Sequence, residues 1–276
     1  MNLYPKYAIL LLSVLFLLSV ISCKKSATEP EDKKGGLPEG SETLSIDING
    51  QSRDFLIHTP TNWTVDEQLP LIIMFHGDFG SAPELEKVSG MSDIADEQRF
   101  FVAYPAAVQV AFEVGIGSPV IEFTNQLITY VSNLYNIDQN RIYAAGFSTG
   151  GEIVHDLVCE LGDCLAGIAS VSGIINQYCN ETSNKVNIIV IHGTSDLVVP
   201  YNGEEDINYY NQLYNCNDDL TEIDISADLP CSGTVIQKTY SICDDNLRVR
   251  LLRVVGGRHE WDCFTSLKIW EFFNEL

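Results

Sequence analysis

Short, nearly continuous apolar runs bounded by turn residues recur at 71–75, 100–104, 141–145, 167–171, 187–191 and 249–255. Runs of this length, rich in Ile, Val and Phe, suit strands buried on both faces. Between them lie stretches with helical periodicity. Leu85, Val88, Met91 and Ala95 share one face, Ile153, Val154, Leu157, Val158 and Leu161 a second, and Leu267, Trp270 and Phe273 a third. Ser118 and Pro119 fit the N-cap and first turn of a helix running toward Tyr135. Two alternating stretches, 43–48 and 54–59, flank Asn49-Gly50 and read as an antiparallel hairpin leading into the sheet. The alternation of strand and helix predicts an α/β fold with a mostly parallel sheet covered on both sides.

The first residues break this pattern. Lys6 is followed by sixteen uncharged, mostly aliphatic residues that stop at Cys23-Lys24-Lys25. The run has the form of a signal peptide h-region, with an uncleaved membrane helix as the alternative. Val20-Ile21-Ser22-Cys23 resembles a bacterial lipobox, which makes Cys23 the expected lipid anchor. Residues 1–22 are then a lipoprotein signal peptide, 23–40 a lipidated Cys and flexible Gly/Pro/charged tether, and 41–276 one folded domain. The expected location is the cell envelope, with membrane contact through the anchor only.

Composition narrows the partners. The chain of 276 residues carries 16 Lys and Arg against 38 Asp and Glu, a formal net charge of -22. Such a surface repels polyanions, so nucleic acid is an unsuitable partner. Of eight cysteines, seven fall after Cys23, and in an exported domain these are expected to form disulfides. Seven is odd, so either one thiol stays free or one of these assignments is wrong. No CxxC pair supports a zinc or redox site, and no metal or cofactor is called for. Ten acids between 204 and 245 face one Lys, which admits calcium binding or a solvated acidic excursion; the lack of EF-hand spacing favours the second.

The chemistry gathers at strand ends. Gly146-Phe147-Ser148-Thr149-Gly150 follows one predicted strand and opens a helix, the form of a G-x-S-x-G nucleophile elbow. The tight turn exposes the Ser148 hydroxyl, and glycines on either side remove colliding side chains. A serine needs a base, and the base an acid to hold its tautomer. Two later strands end in His192-Gly193-Thr194-Ser195-Asp196 and Gly256-Gly257-Arg258-His259-Glu260-Trp261. The order Ser148, Asp196, His259 matches that of α/β-hydrolases. Asp196 alternatively caps the turn into Leu197-Val198-Val199. His76-Gly77-Asp78-Phe79-Gly80 follows another strand, and its backbone with that of Thr149 offers two oxyanion donors. Phe79, Tyr201 and Trp261 either line an acyl pocket or belong to the core. His76 and His192 read as loop anchors, His155 as lying on the polar side of its helix, and His58 as part of the hairpin.

The runs PLIIMFHGDFGSA, RIYAAGFSTGGEIVHDLVCEL, IIVIHGTSDLVVPYNG and VVGGRHEW resemble the secreted esterase family of poly(3-hydroxybutyrate) depolymerases, feruloyl esterases and acetyl xylan esterases, related to carbohydrate esterase family 1. The resemblance covers roughly 43–276. It implies an α/β-hydrolase fold, Ser148 as nucleophile, His259 as base, Asp196 as orienting acid, and Asp78 and Thr149 as the oxyanion hole. It also implies a Cys216–Cys243 disulfide. The implied substrates are small or polysaccharide-linked esters, feruloyl, acetyl or hydroxyalkanoate. The chain departs from the family at Asp78, where Cys is frequent, in a short 105–118 loop without a Trp-Asn pair, and at Ser118-Pro119 in place of paired Asp. A carboxylate near an oxyanion and a trimmed rim leave a second expectation open, a catalytically silent envelope lipoprotein on the same scaffold.

Overall fold

The computed structural model describes residues 40–179, 185–217 and 220–276. The signal peptide, the tether and Cys23 lie outside the described residues.

A ten-stranded sheet organises the domain. In chain order the strands are β1 (Gly40–Ile48), β2 (Gln51–Thr59), β3 (Leu69–Phe75), β4 (Phe101–Pro105), β5 (Ile137–Phe147), β6 (Gly167–Val171), β7 (Asn187–Gly193), β8 (Leu220–Asp224), β9 (Thr234–Tyr240) and β10 (Val249–Val255). They lie side by side as β1-β2-β4-β3-β5-β6-β7-β10-β9-β8. The six strands from β4 to β10 run parallel, and β1-β2 and β9-β8 add an antiparallel pair at either edge. The expected hairpin is present, turning at Asn49-Gly50 with Ile48 opposite Gln51. This is the mostly parallel, helix-flanked sheet with an N-terminal hairpin that the sequence predicts.

The helices are α1 (Ala82–Ser89), α2 (Met91–Gln98), α3 (Pro119–Leu134), α4 (Thr149–Leu161), α5 (Gly203–Leu213) and α6 (Thr265–Asn274). Side chains of a strand alternate between faces, so each parallel strand feeds two cores. Leu71, Ile73 and Phe75 of β3 pack toward α3, α4 and α5. Ile72 and Met74 of the same strand pack toward α1, α2 and α6. Crossovers above and below the sheet leave the C-terminal ends of the parallel strands free to carry loops, where ligands of open α/β sheets bind.

Four local expectations are corrected. The helical face over 85–95 is broken: Gly90 sits at φ 59, ends α1 and precedes α2. Val88 is 63% exposed, and Leu267 is likewise on the surface rather than in the core. His155 is fully buried, because Tyr210 of α5 covers that side of α4 and its hydroxyl meets His155 Nδ1 at 2.9 Å. The acidic segment is not only an excursion: it contributes α5 and the edge strands β8 and β9, with Lys238 bridging Glu204 and Glu222.

Candidate active site

β5 runs into α4 through Ser148, whose backbone lies at φ 56, ψ -124. A non-glycine residue held there stores about 1–3 kcal/mol of strain and persists only where its surroundings enforce it. The enforcement is visible. Ser148 N–H donates to Val171 O at 2.9 Å. A Cβ at Gly146 would sit 2.0 Å from Gly150 O, and one at Gly150 would sit 2.1 Å from Phe75 O. Only glycines let β3, β5 and α4 approach this closely.

The loop after β7 forms a turn in which Asp196 N–H donates to Gly193 O at 3.2 Å. Asp196 Oδ1 accepts from the backbone N–H groups of Val198 and Val199, both at 2.9 Å. Its other oxygen, Oδ2, lies 2.7 Å from His259 Nδ1 on the loop after β10. The two readings of Asp196, turn cap and histidine partner, therefore coexist in one carboxylate. Burial works against its charge, but the His259 and backbone hydrogen bonds outweigh it and hold the group below its ordinary range. An Nδ1–H pointing at a carboxylate leaves His259 Nε2 as an acceptor.

His259 and Ser148 line one cavity. Among the described residues no hydrogen bond joins Ser148 Oγ to His259; the serine and the histidine share the cavity, and Asp196 is hydrogen-bonded to the histidine. The His259 ring also packs on Phe147, with centroids 4.8 Å apart. His192 stands near the same carboxylate, 3.4 Å from Asp196 Oδ2. Its Nε2 hydrogen-bonds Val199 O at 3.1 Å, and burial lowers its pKa, so it anchors the turn as a neutral ring. His76 does the same for its own loop: Nδ1 donates to Gly77 O at 2.8 Å and Nε2 accepts from Ala107 N–H at 3.4 Å.

Opposite the histidine, Gly77 brings the loop after β3 against the elbow; a Cβ there would lie 2.9 Å from Ser148 Cβ. Among the described residues, neither Asp78 N–H nor Thr149 N–H has a hydrogen-bond acceptor. Thr149 begins α4, so the positive end of the helix dipole adds to these donors. The Asp78 carboxylate is engaged by the Thr149 hydroxyl at 2.7 Å.

The cavity has a volume of about 410 Å³, within the usual range for small-ligand sites. Leu85, Val88, Phe147, Val198 and Phe79 form its apolar wall. Phe79 is 83% exposed at φ 60 and is held by its N–H to Val110 O at 2.6 Å. Tyr201 and Trp261 are not in this lining: Tyr201 packs against His192, and Trp261 Nε1 donates to Ser266 Oγ at 3.0 Å. The sequence places Val88 on a helix face and Val198 in the turn after Asp196 and marks neither as a cavity residue, yet both are exposed aliphatic side chains. Among the described residues no group of three or more His, Cys, Asp or Glu is placed to hold a metal ion.

Disulfides join Cys159 to Cys179, Cys216 to Cys243 and Cys231 to Cys263. Three such bridges are typical of proteins that mature outside the reducing cytosol. Cys164 is not a free thiol either, so the odd count leaves no reactive cysteine among the described residues.

The model of a Phospholipase/Carboxylesterase family matches residues 117–231, a span holding the elbow and Asp196. A bifunctional acetylxylan esterase/xylanase of Neocallimastix patriciarum is 24% identical over 82% of this chain and 34% of its own length. The chain thus spans about a third of that enzyme. Feruloyl esterase D of Neurospora crassa is 25% identical over 88% of this chain and 89% of its own. Among solved structures, the acetyl xylan esterase from Aspergillus awamori superposes with a TM-score of 0.68 at 14% identity, covering 85% of this chain and all of that one.

Proposed function

We propose that this chain is a feruloyl- and acetylxylan-esterase-like serine carboxylesterase that hydrolyses feruloyl or acetyl esters of plant polysaccharide through an acyl-enzyme. In this reading Ser148 is the nucleophile, His259 the general base and Asp196 the acid that orients it. The observation that carries the proposal is the 2.7 Å bond from His259 Nδ1 to Asp196 Oδ2 beside a strained serine in the same cavity.

His259 Nε2 takes the hydroxyl proton as Ser148 Oγ attacks the ester carbonyl. Negative charge then develops on the former carbonyl oxygen, and the N–H groups of Asp78 and Thr149 receive it, each worth about 3 kcal/mol to the transition state. Asp196 stabilises the imidazolium without itself taking the proton. The imidazolium returns its proton to the departing alkoxide, leaving Ser148 acylated. Water, deprotonated by the same nitrogen, releases the acid and restores the enzyme. The apolar wall of Phe79, Leu85, Val88 and Val198 suits an acyl group with an aromatic or short aliphatic body.

We further propose that residues 1–22 export the protein and that Cys23 carries its lipid anchor in the cell envelope. Support comes from the lipobox-like sequence and the disulfide content. A hydrolysis screen with methyl ferulate, acetylated xylan and hydroxybutyrate oligomers tests the substrate. Turnover of the first or second that vanishes in Ser148→Ala supports the proposal. No turnover of any ester by the folded protein contradicts it.

A further inference from the structure

A second cavity, about 330 Å³, opens between the start of β2, the 108–113 segment and the first turn of α3. Arg53 lines it and is 6% exposed, with its guanidinium carbon 4.2 Å above the Phe123 ring. Arginine carries five donors and no acceptor. Arg53 forms no ion pair among the described residues, and its buried Nε has no hydrogen-bond partner. An unpartnered Nε–H on a guanidinium that lines a cavity offers donors to an anion entering it.

Pro119 and Val120, the first residues of the sixteen-residue α3, line the same space. Their helix end contributes partial positive charge to it. Gln51 and Gln109 add neutral amides, and Glu113 is the one acid in the lining. Glu113 acts on Arg53 as a counter-charge at longer range.

The two cavities share a wall. Val110 lines the second one, and its carbonyl holds Phe79 in the lining of the first. Phe112 likewise packs on His76, with ring centroids 4.6 Å apart.

From this we propose that the Arg53 cavity is a subsite for one carboxylate of an acidic polysaccharide, a uronate unit on the chain whose ester enters the Ser148 cavity. Arg53 supplies the charge and paired donors, Phe123 holds the guanidinium plane, and α3 adds its N-terminal field. The strongly acidic surface disfavours polyanions elsewhere, so a carboxylate is read at one built position.

The inference rests on the esterase reading for the substrate, but its test does not use turnover. Binding of a xylo-oligosaccharide bearing one glucuronate is measured by calorimetry on the full chain and on Ser148→Ala, against the same oligosaccharide without the acid. Both proteins should bind the acidic form at least about tenfold more tightly, by roughly 1.4 kcal/mol. Arg53→Gln should abolish that preference. Glu113→Gln, which leaves the buried arginine in place, should strengthen binding several-fold by removing a like charge. Equal binding of acidic and neutral forms, or no change in Glu113→Gln, overturns the proposal. Free glucuronate binding as tightly as the oligosaccharide also overturns it, since the site would then read a free acid. Absence of any ester turnover by the folded parent protein, with the acid preference intact, would instead sink the esterase reading alone.

Discussion

Thr149 Oγ1 donates a 2.7 Å hydrogen bond to Asp78 Oδ1, tying together the two loops whose N–H groups flank Ser148. The bond joins the side chains of residues whose backbones are the proposed oxyanion donors. It also gives the Asp78 carboxylate a fixed partner at the start of α4.

Thr149→Val should therefore lower kcat on p-nitrophenyl acetate by about three- to tenfold, the worth of one hydrogen bond, with little change in KM. Asp78→Asn keeps an acceptor for Thr149 and removes the charge, so its kcat should equal or exceed that of the parent. A lower kcat in Asp78→Asn would mean the charge itself is needed.

Asp196→Asn should lower kcat by roughly four orders of magnitude, because an amide facing His259 Nδ1 favours the wrong tautomer. The fold should persist, since an amide oxygen can still accept from Val198 and Val199. Steady-state kinetics together with a thermal melt separate the two effects.

Asp206 gives a pH signature unrelated to catalysis. Burial pushes its carboxyl up to about 7 from an ordinary value of 3.8, against hydrogen bonds from Ile175 N–H and Asn202. Between about pH 4 and pH 7 the folded state keeps a proton that the unfolded chain has lost, so its contribution to stability is full at low pH and falls as pH rises. Asp206→Asn should remove this slope and be more stable than the parent at pH 8 by on the order of 2–4 kcal/mol. Urea titrations at pH 4, 6 and 8 test it; a parent-minus-variant difference that does not change with pH contradicts it.

Two glycines separate packing from conformation. Gly150→Ala must push a Cβ into Phe75 O from 2.1 Å and should cost at least about 3 kcal/mol along with activity. Gly50→Ala meets nothing within 4 Å and bears only its positive φ of 83, so about 1 kcal/mol is expected. Thermal melts of the two variants should differ in that order.

The sequence was most legible where burial is symmetric. The parallel strands are covered on both faces, so their apolar runs stand out, and the loops bearing Ser148, Asp196 and His259 follow directly from where those runs end. β8 left no such trace, because every residue in it is exposed. α1 and α2 hid their break because the apolar period continues across Gly90. His155 and Asp156 look polar on a helical wheel but are buried by Tyr210 and the Gly115 loop, contacts that no local pattern carries. The cavity wall at Val88 and Val198 depends on where two distant loops meet, which is likewise a tertiary fact.

The central claim is that Ser148 is an activated nucleophile, and the most direct test is reaction of the folded protein with a fluorophosphonate followed by peptide mass spectrometry. One adduct, on Ser148, absent in Ser148→Ala and formed far more slowly in His259→Gln, is the predicted result. A folded protein that takes no label, or takes it on another residue, would contradict the account.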